Sequence, residues 1–148
     1  MSNRVHRFFV PGKPQGKGRP RFTKAGHAYT PQKTVDYETL IAAEYCRLQK
    51  PMTNFEKMAN VEIEIQAWFP IPKSDSKKEK ARKLSGQILP RTKPDLDNIT
   101  KAVLDALNGV AYYDDKQVVK VTASKIYGDQ PGLLCTVTHI TDTRERVP

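Results

Sequence analysis

"KPDLDNITKAVLDALNGVAYYDD", Lys93 to Asp115, carries the repeat from which the fold is read. Within it Ile99, Ala102, Val103, Ala106 and Leu107 stand at i, i+3, i+4, i+7 and i+8, the spacing that gathers apolar side chains on one face of an α-helix. Pro94 holds the approach extended, and Gly109 is a natural residue to follow the last turn. Downstream, "VVKVTASKIY" (Val118–Tyr127) and "LLCTVTHI" (Leu133–Ile140) read as strands, and the short Gly128–Gly132 connection predicts an antiparallel hairpin. Upstream, "VEIEIQAWF" alternates, with Val61, Ile63, Ile65, Ala67 and Phe69 on one face and Glu62, Glu64, Gln66 and Trp68 on the other. That is a strand with one buried side, and Trp68 on its polar side marks a subunit contact or covers a loop.

Further out, "VHRFFV" (Val5–Val10) is a strand ended by Pro11-Gly12. Thr30-Pro31 opens a long helix that carries Tyr37, Leu40, Ile41, Tyr45 and Leu48 inward and stops at Lys50-Pro51. Ser76 and Glu79 form a capping box for a short basic helix that closes at Gly86. The order predicts one α+β domain over residues 1–148, with two main helices on one face of a mixed sheet of about four strands. The polar tail, residues 141–148, is expected to fray.

The chain has 148 residues, enough for one core, with 38% hydrophobic and 28% charged residues. No apolar run approaches the roughly 20 residues of a membrane span, and the start has no signal-peptide pattern, so a cytoplasmic protein is expected. Cys46 and Cys135 have no CxxC spacing and read as reduced core thiols. The net charge of +9 and a pI near 9.6 point to an acidic partner, nucleic acid first.

The charge comes in two blocks. Residues 1–35 contain no Asp or Glu but hold Arg4, Arg7, Lys13, Lys17, Arg19, Arg21, Lys24 and Lys33. A second, Lys-rich segment, residues 73–93, ends in Arg91 and Lys93. The Gly- and Pro-rich residues 11–30 form a loop or irregular hairpin whose cations suit phosphates, a DNA-contacting arm. Phe22 and Tyr29 interleave with them, to stack on bases or, the reading preferred here, to anchor the loop to the core.

Against this basic background the opening stretch gathers Asp95, Asp97, Asp105, Asp114 and Asp115. Asp95 and Asp97, two apart in an extended approach, point to one side, and two such carboxylates repel unless a proton or metal intervenes. Hard oxygen donors suit Mg²⁺ or Mn²⁺. The competing account makes one Asp a helix cap and the other a solvated charge. Lys101, four residues after Asp97, serves a phosphate or pairs with Asp105, and Asp114-Asp115 follow once the chain has turned back. Together these are the parts of a metal-dependent nuclease.

"KPDLDNITKAVLDALNGVAYYDDKQVV" closely resembles the signature of the RusA family of Holliday-junction resolvases, a D-L-D-N leading a helix with a lysine and a D-A-L, then D-D-x-Q-V-V. "PGKPQGKGRPRF" and "AYTP" are similar to the form of the family widespread in bacterial prophages. The resemblance, over about Val5 to Ile140, implies a homodimer that binds four-way junctions and nicks two strands symmetrically in DNA recombination and repair. It implies catalytic residues Asp95, Asp97, Lys101 and Asp115, of which the three aspartates hold Mg²⁺, and no small-molecule cofactor. Asp114 then orients its neighbour, and Asp115 returns to Asp95 and Asp97 after Gly109. Lys13, Lys17, Arg19, Arg21, Lys24, Arg91 and Lys93 are the expected DNA-binding residues. The alternatives are a non-catalytic branched-DNA-binding protein, whose aspartates only cap a helix, and a nuclease with broader flap or RNA substrates. A DxD nucleotide-sugar transferase lacks the necessary length.

Overall fold

The computed structural model describes residues 3–141; the tail expected to fray lies, beyond Thr141, outside the described residues. Four long strands, β1 (Asn3–Pro11), β4 (Asn60–Phe69), β5 (Val118–Tyr127) and β6 (Gly132–Ile140), form one sheet in the order β1-β6-β4-β5. A second, two-stranded sheet pairs β2 (Arg21–Phe22) with β3 (Ala28–Tyr29). The helices are α1 (Gln32–Arg47), α2 (Asn54–Met58), α3 (Lys77–Leu84) and α4 (Leu96–Leu107). This is the expected mixed α+β sheet, antiparallel except for the parallel β4–β5 pair.

The helical repeat in the opening stretch sets the inner layer. The buried residues of α4 are Ile99, Ala102, Val103, Ala106 and Leu107, and they meet Tyr37, Ile41 and Tyr45 of α1 in one cluster. Under them lie Val61, Ile63, Ile65, Ala67 and Phe69 from β4 and Leu133, Cys135 and Val137 from β6. The opposite face of β4 keeps Glu62, Glu64 and Gln66 half-buried or exposed, so the period-two alternation maps onto a covered and an open side.

The expected hairpin of Val118–Tyr127 and Leu133–Ile140 does not form, because β4 runs between them and pairs with both. Every inward residue of β4 is apolar and buried, which suits a strand hydrogen-bonded on both sides, whereas residues 119–122 of β5 are exposed and belong at an edge. The connection is long enough: crossing two strand spacings takes about 9.6 Å, and four extended residues reach about 13 Å. It passes over the end of β4, where the Gly128 N–H donates to the Phe69 carbonyl (3.1 Å). Gly132 begins the return under Phe9, and a Cβ there would overlap the Phe9 ring and the Val10 carbonyl.

Two smaller expectations change, at Leu48 and Cys46. Leu48 closes α1 as its C-cap and is 71% exposed, and Cys46 is also exposed; only Cys135 is a core thiol, its pKa pushed up to about 12 by burial. Trp68 packs edge-on against Phe9 (5.6 Å between centroids) and lies over Gly128. The helix α2 was not anticipated, although Thr53 and Glu56 spell its capping box. Burial would raise the Glu56 pKa, but the Thr53 hydroxyl, backbone N–H groups and Arg4 hold it down to about 2.

Candidate active site

The basic loop is built against the start of α4. The Lys17 N–H donates to the Asn98 carbonyl (3.0 Å), and the Gly18 N–H donates to the Thr34 hydroxyl on α1 (3.0 Å). Gly16 is what permits this approach, since a Cβ at that position would sit 2.9 Å from Asn98 Cβ and 3.1 Å from Pro94 Cβ. Loop and helix then enclose an open cleft of about 850 Å³, lined by Lys13, Lys17, Arg19, Arg21, Lys33, Lys93, Asp95 and Asn98 among others. Most of the expected phosphate-binding residues thus share one concavity with Asp95. Lys24, in the turn between β2 and β3, and Arg91 are exposed and lie outside it.

Asp95 occupies the N-cap position of α4, with extended backbone (φ −68°, ψ 150°), yet its side chain makes no capping hydrogen bond. The simplest competing role for this carboxylate is therefore not the one it performs. The extended approach ends here, because Leu96 already begins the helix, so Asp97 lies in the first turn and not on a strand-like segment with Asp95. Asp97, Lys101 and Asp105 follow at intervals of four, which aligns them along one side of α4. Asp97 and Lys101 are exposed.

Asp105 pairs with Lys17 (3.1 Å), and among the described residues Lys101 makes no ion pair. The Lys17 ammonium also holds Glu38 of α1 (2.6 Å). Burial works against its charge, but the hydrogen bonds to Glu38 and Asp105 outweigh that and raise its pKa. Lys17 thereby ties loop, α1 and α4 together. Sequence reading missed Glu38 and Thr34 as the loop's anchors, because contacts 16 to 21 residues apart leave no local pattern.

Asp115 lies elsewhere. It opens a short 3₁₀ turn (Asp115–Gln117) pinned by Gln117, whose amide donates to the carbonyls of Glu56 in α2 and of Ala59, the residue before β4 (both 2.8 Å). Tyr112 beside it donates to the Leu104 carbonyl (2.5 Å), and its pKa is raised first by burial and then by the charges of Asp115 and Asp105. Asp115 is thus at the C-terminal end of α4. The 12 residues of that helix span about 18 Å, so Asp115 does not return to Asp95 and Asp97 within one chain. Asp114 caps the turn, accepting from the Lys116 N–H (2.9 Å), and that bond lowers its pKa.

Among the described residues no three His, Cys, Asp or Glu side chains converge to hold a metal ion. One chain offers a single hard carboxylate in the cleft lining, Asp95, with Asp97 exposed two residues on in the first turn of α4, which suits part of a Mg²⁺ coordination shell but not the three-aspartate set. No described helix is long and apolar enough to cross a membrane.

A family model described as "Endodeoxyribonuclease RusA" matches residues 11–138. The chain belongs to the RusA endodeoxyribonuclease family. The match runs from the foot of the basic loop nearly to the end of β6, so cleft, α4 and acidic turn all lie inside the RusA unit. A protein of Bacillus subtilis (strain 168), described as "Uncharacterized protein YqaN", is 37% identical over 133 residues, covering 84% of this chain and 89% of its own. RusA membership makes the cleft that of a DNA-cleaving family, consistent with its excess of cations.

Proposed function

We propose that the chain is a Mg²⁺-dependent endodeoxyribonuclease, with Mn²⁺ as a substitute, that resolves four-way junctions and related branched DNA by paired symmetric nicks in recombination and repair. The observation that carries this reading is a carboxylate, Asp95, that stands at a helix N-cap without capping and lines a cleft whose other charged residues are all cations. Lys13, Arg19, Arg21 and Lys93 neutralise backbone phosphates, and Lys101, one turn above Asp97, adds positive charge toward the scissile phosphate. Asp95, in the cleft, and Asp97, in the first turn of α4, would hold the ion. When bound, Mg²⁺ supplies a polarised phosphoryl oxygen and a more acidic water.

The third aspartate comes from a second copy in this reading. The β5 strand is at the sheet's edge, and residues 119–122 are exposed on both of its faces. Two such edges paired about a two-fold axis run antiparallel, which carries Asp115 of one copy toward the far end of the other's β5. That far end adjoins the cleft: Lys125 donates to the Thr92 carbonyl (2.6 Å), three residues before Asp95. A homodimer built this way has two equivalent sites for the two equivalent strands of a junction.

The direct test is a synthetic four-way junction, labelled on each strand in turn and incubated with the protein and Mg²⁺ or Mn²⁺. Nicks at symmetric positions on two opposing strands are expected; an uncut junction with either ion leaves only a DNA-binding protein, and equal cutting of flaps or RNA widens the substrate class.

Lys17 permits a test of how the cleft is held. If Lys17 and Glu38 order the loop, Lys17→Met and Glu38→Gln both weaken junction binding, by roughly fivefold each, the equivalent of about 1 kcal/mol. The sign for Glu38→Gln is informative, since removing a negative charge beside DNA would otherwise tighten binding. A plot of log K against log salt should keep its slope in Lys17→Met, whereas loss of a phosphate contact such as Arg19 flattens it by about 0.9. Tighter binding by Glu38→Gln would show that Lys17 is itself a phosphate contact.

A further inference from the structure

The β2–β3 hairpin stands out from the cleft with two aromatic rings that the core does not use. Phe22 is 69% exposed and Tyr29 is 47% exposed, so neither anchors the loop as the sequence reading preferred. Among the described residues neither ring stacks on another aromatic side chain or lies under a cation. Scattered exposed apolar residues are ordinary on protein surfaces. What sets these two apart is the frame that presents them.

The turn is held by its own hydrogen bonds: Thr23 N–H to the His27 carbonyl (2.9 Å), Gly26 N–H to the Thr23 carbonyl (2.9 Å) and His27 N–H to the Thr23 hydroxyl (3.1 Å). The foot is fixed through Lys17 and Gly18 to α4 and α1, as described above. Residues directly opposite in an antiparallel pair share a face. The register Arg21↔Tyr29 and Phe22↔Ala28 therefore puts Tyr29 beside Arg21 on one face of the hairpin and Phe22 on the other. The result is a thin blade with an aromatic ring on each side, continuous with the cleft through Arg21.

We propose that this hairpin is a binding site for unpaired nucleotides, whose bases stack on Phe22 and Tyr29 while Arg19, Arg21 and Lys24 take their phosphates. Two properties of the blade select that ligand. Its charge is of one sign, because residues 1–35 contain no carboxylate side chain, so the partner is a polyanion. Its apolar groups are flat rings, and a closed duplex hides its base faces, so only unpaired bases can meet them. That these nucleotides belong to the branched substrate of the cleft rests on the function proposed above; the affinity for unpaired nucleotides does not.

The experiment compares wild type with Phe22→Ala, Tyr29→Ala, the double variant and Phe22→Trp, by fluorescence anisotropy with EDTA present. The probes are a labelled oligothymidylate and a blunt duplex of equal length. Each alanine is expected to weaken oligothymidylate binding by about tenfold or more, to leave duplex affinity within about twofold, and to leave the salt slope unchanged. Phe22→Trp should restore binding. Sedimentation checks the assembly state, and because neither side chain is part of the buried core, folding is not at stake. Equal losses on both probes, no loss on oligothymidylate, or a change of assembly state in the alanine variants would each overturn the proposal, the last by making the blade an interface between copies. Since binding is read with EDTA and cutting with Mg²⁺ or Mn²⁺, failure here and failure of the nuclease reading are seen in separate measurements.

Discussion

Asp95→Asn should abolish cutting of a four-way junction while leaving the protein folded and its affinity for the junction intact or improved. The substitution keeps the size of the side chain and removes one negative charge. Because the Asp95 carboxylate makes no capping hydrogen bond, α4 loses no partner, and stability should change by no more than about 0.5 kcal/mol. Asparagine also caps a helix about as well as aspartate, so a capping role would show instead in Asp95→Ala, as a loss of about 1 kcal/mol and a lower melting temperature. On the cleft side the change removes the carboxylate that sits among Lys13, Arg19, Arg21 and Lys93, so phosphate binding should not suffer and at low salt should tighten. Chemistry has no such replacement, since an amide is a poor ligand for a hard divalent ion. The cutting rate should fall at least about a hundredfold. Unchanged cutting by Asp95→Asn removes the proposed mechanism.

The helix at the centre of this argument was legible because its information is local. Five apolar residues at helical spacing predicted the buried face of α4 residue for residue, and the alternation of Val61 to Phe69 did the same for β4. Half of the capping box at Ser76 also formed, its hydroxyl accepting from the Glu79 N–H (3.1 Å), while the Glu79 carboxylate pairs with Arg82 (3.2 Å). What could not be read depended on partners distant in sequence. Val118–Tyr127 and Leu133–Ile140 look like a hairpin because the short linker invites one, and nothing in either segment says that β4 will claim the space between them. The same holds at the site. The basic loop and the Asp95 end of α4 were both recognisable, but that Gly16 allows them to touch, and that Lys17 is occupied by Glu38 and Asp105, comes only from tertiary packing. The placing of Asp115 follows from a length: a turn back after Gly109 returns the chain to the end of α4 it has just left, not to the end where it began.

That length leads to the second large effect. If Asp115 serves the cleft of the opposite copy, Asp95→Asn and Asp115→Asn homodimers are both inactive, yet a mixed dimer is not. One of its two sites carries both substitutions, and the other carries neither, with Asp95 from one copy and Asp115 from the other. The mixed dimer, obtained by co-expressing differently tagged variants and purifying through both tags, should regain about half the wild-type nicking rate, having one of two equivalent sites. It should also cut only one strand of each junction it binds, so that nicked junctions accumulate in place of resolved duplexes. A pairing of Asp95→Asn with Asp97→Asn is the necessary contrast. Both of those residues sit at the same end of α4, so each site of that mixed dimer retains one substitution and no activity should return. Recovery in the first pairing but not in the second is possible only if Asp95 and Asp115 of one site belong to different chains. No recovery in either would mean that α4 and the acidic turn rearrange within a single chain when DNA binds, closing a gap of about 18 Å that a second copy otherwise spans without any movement of the helix.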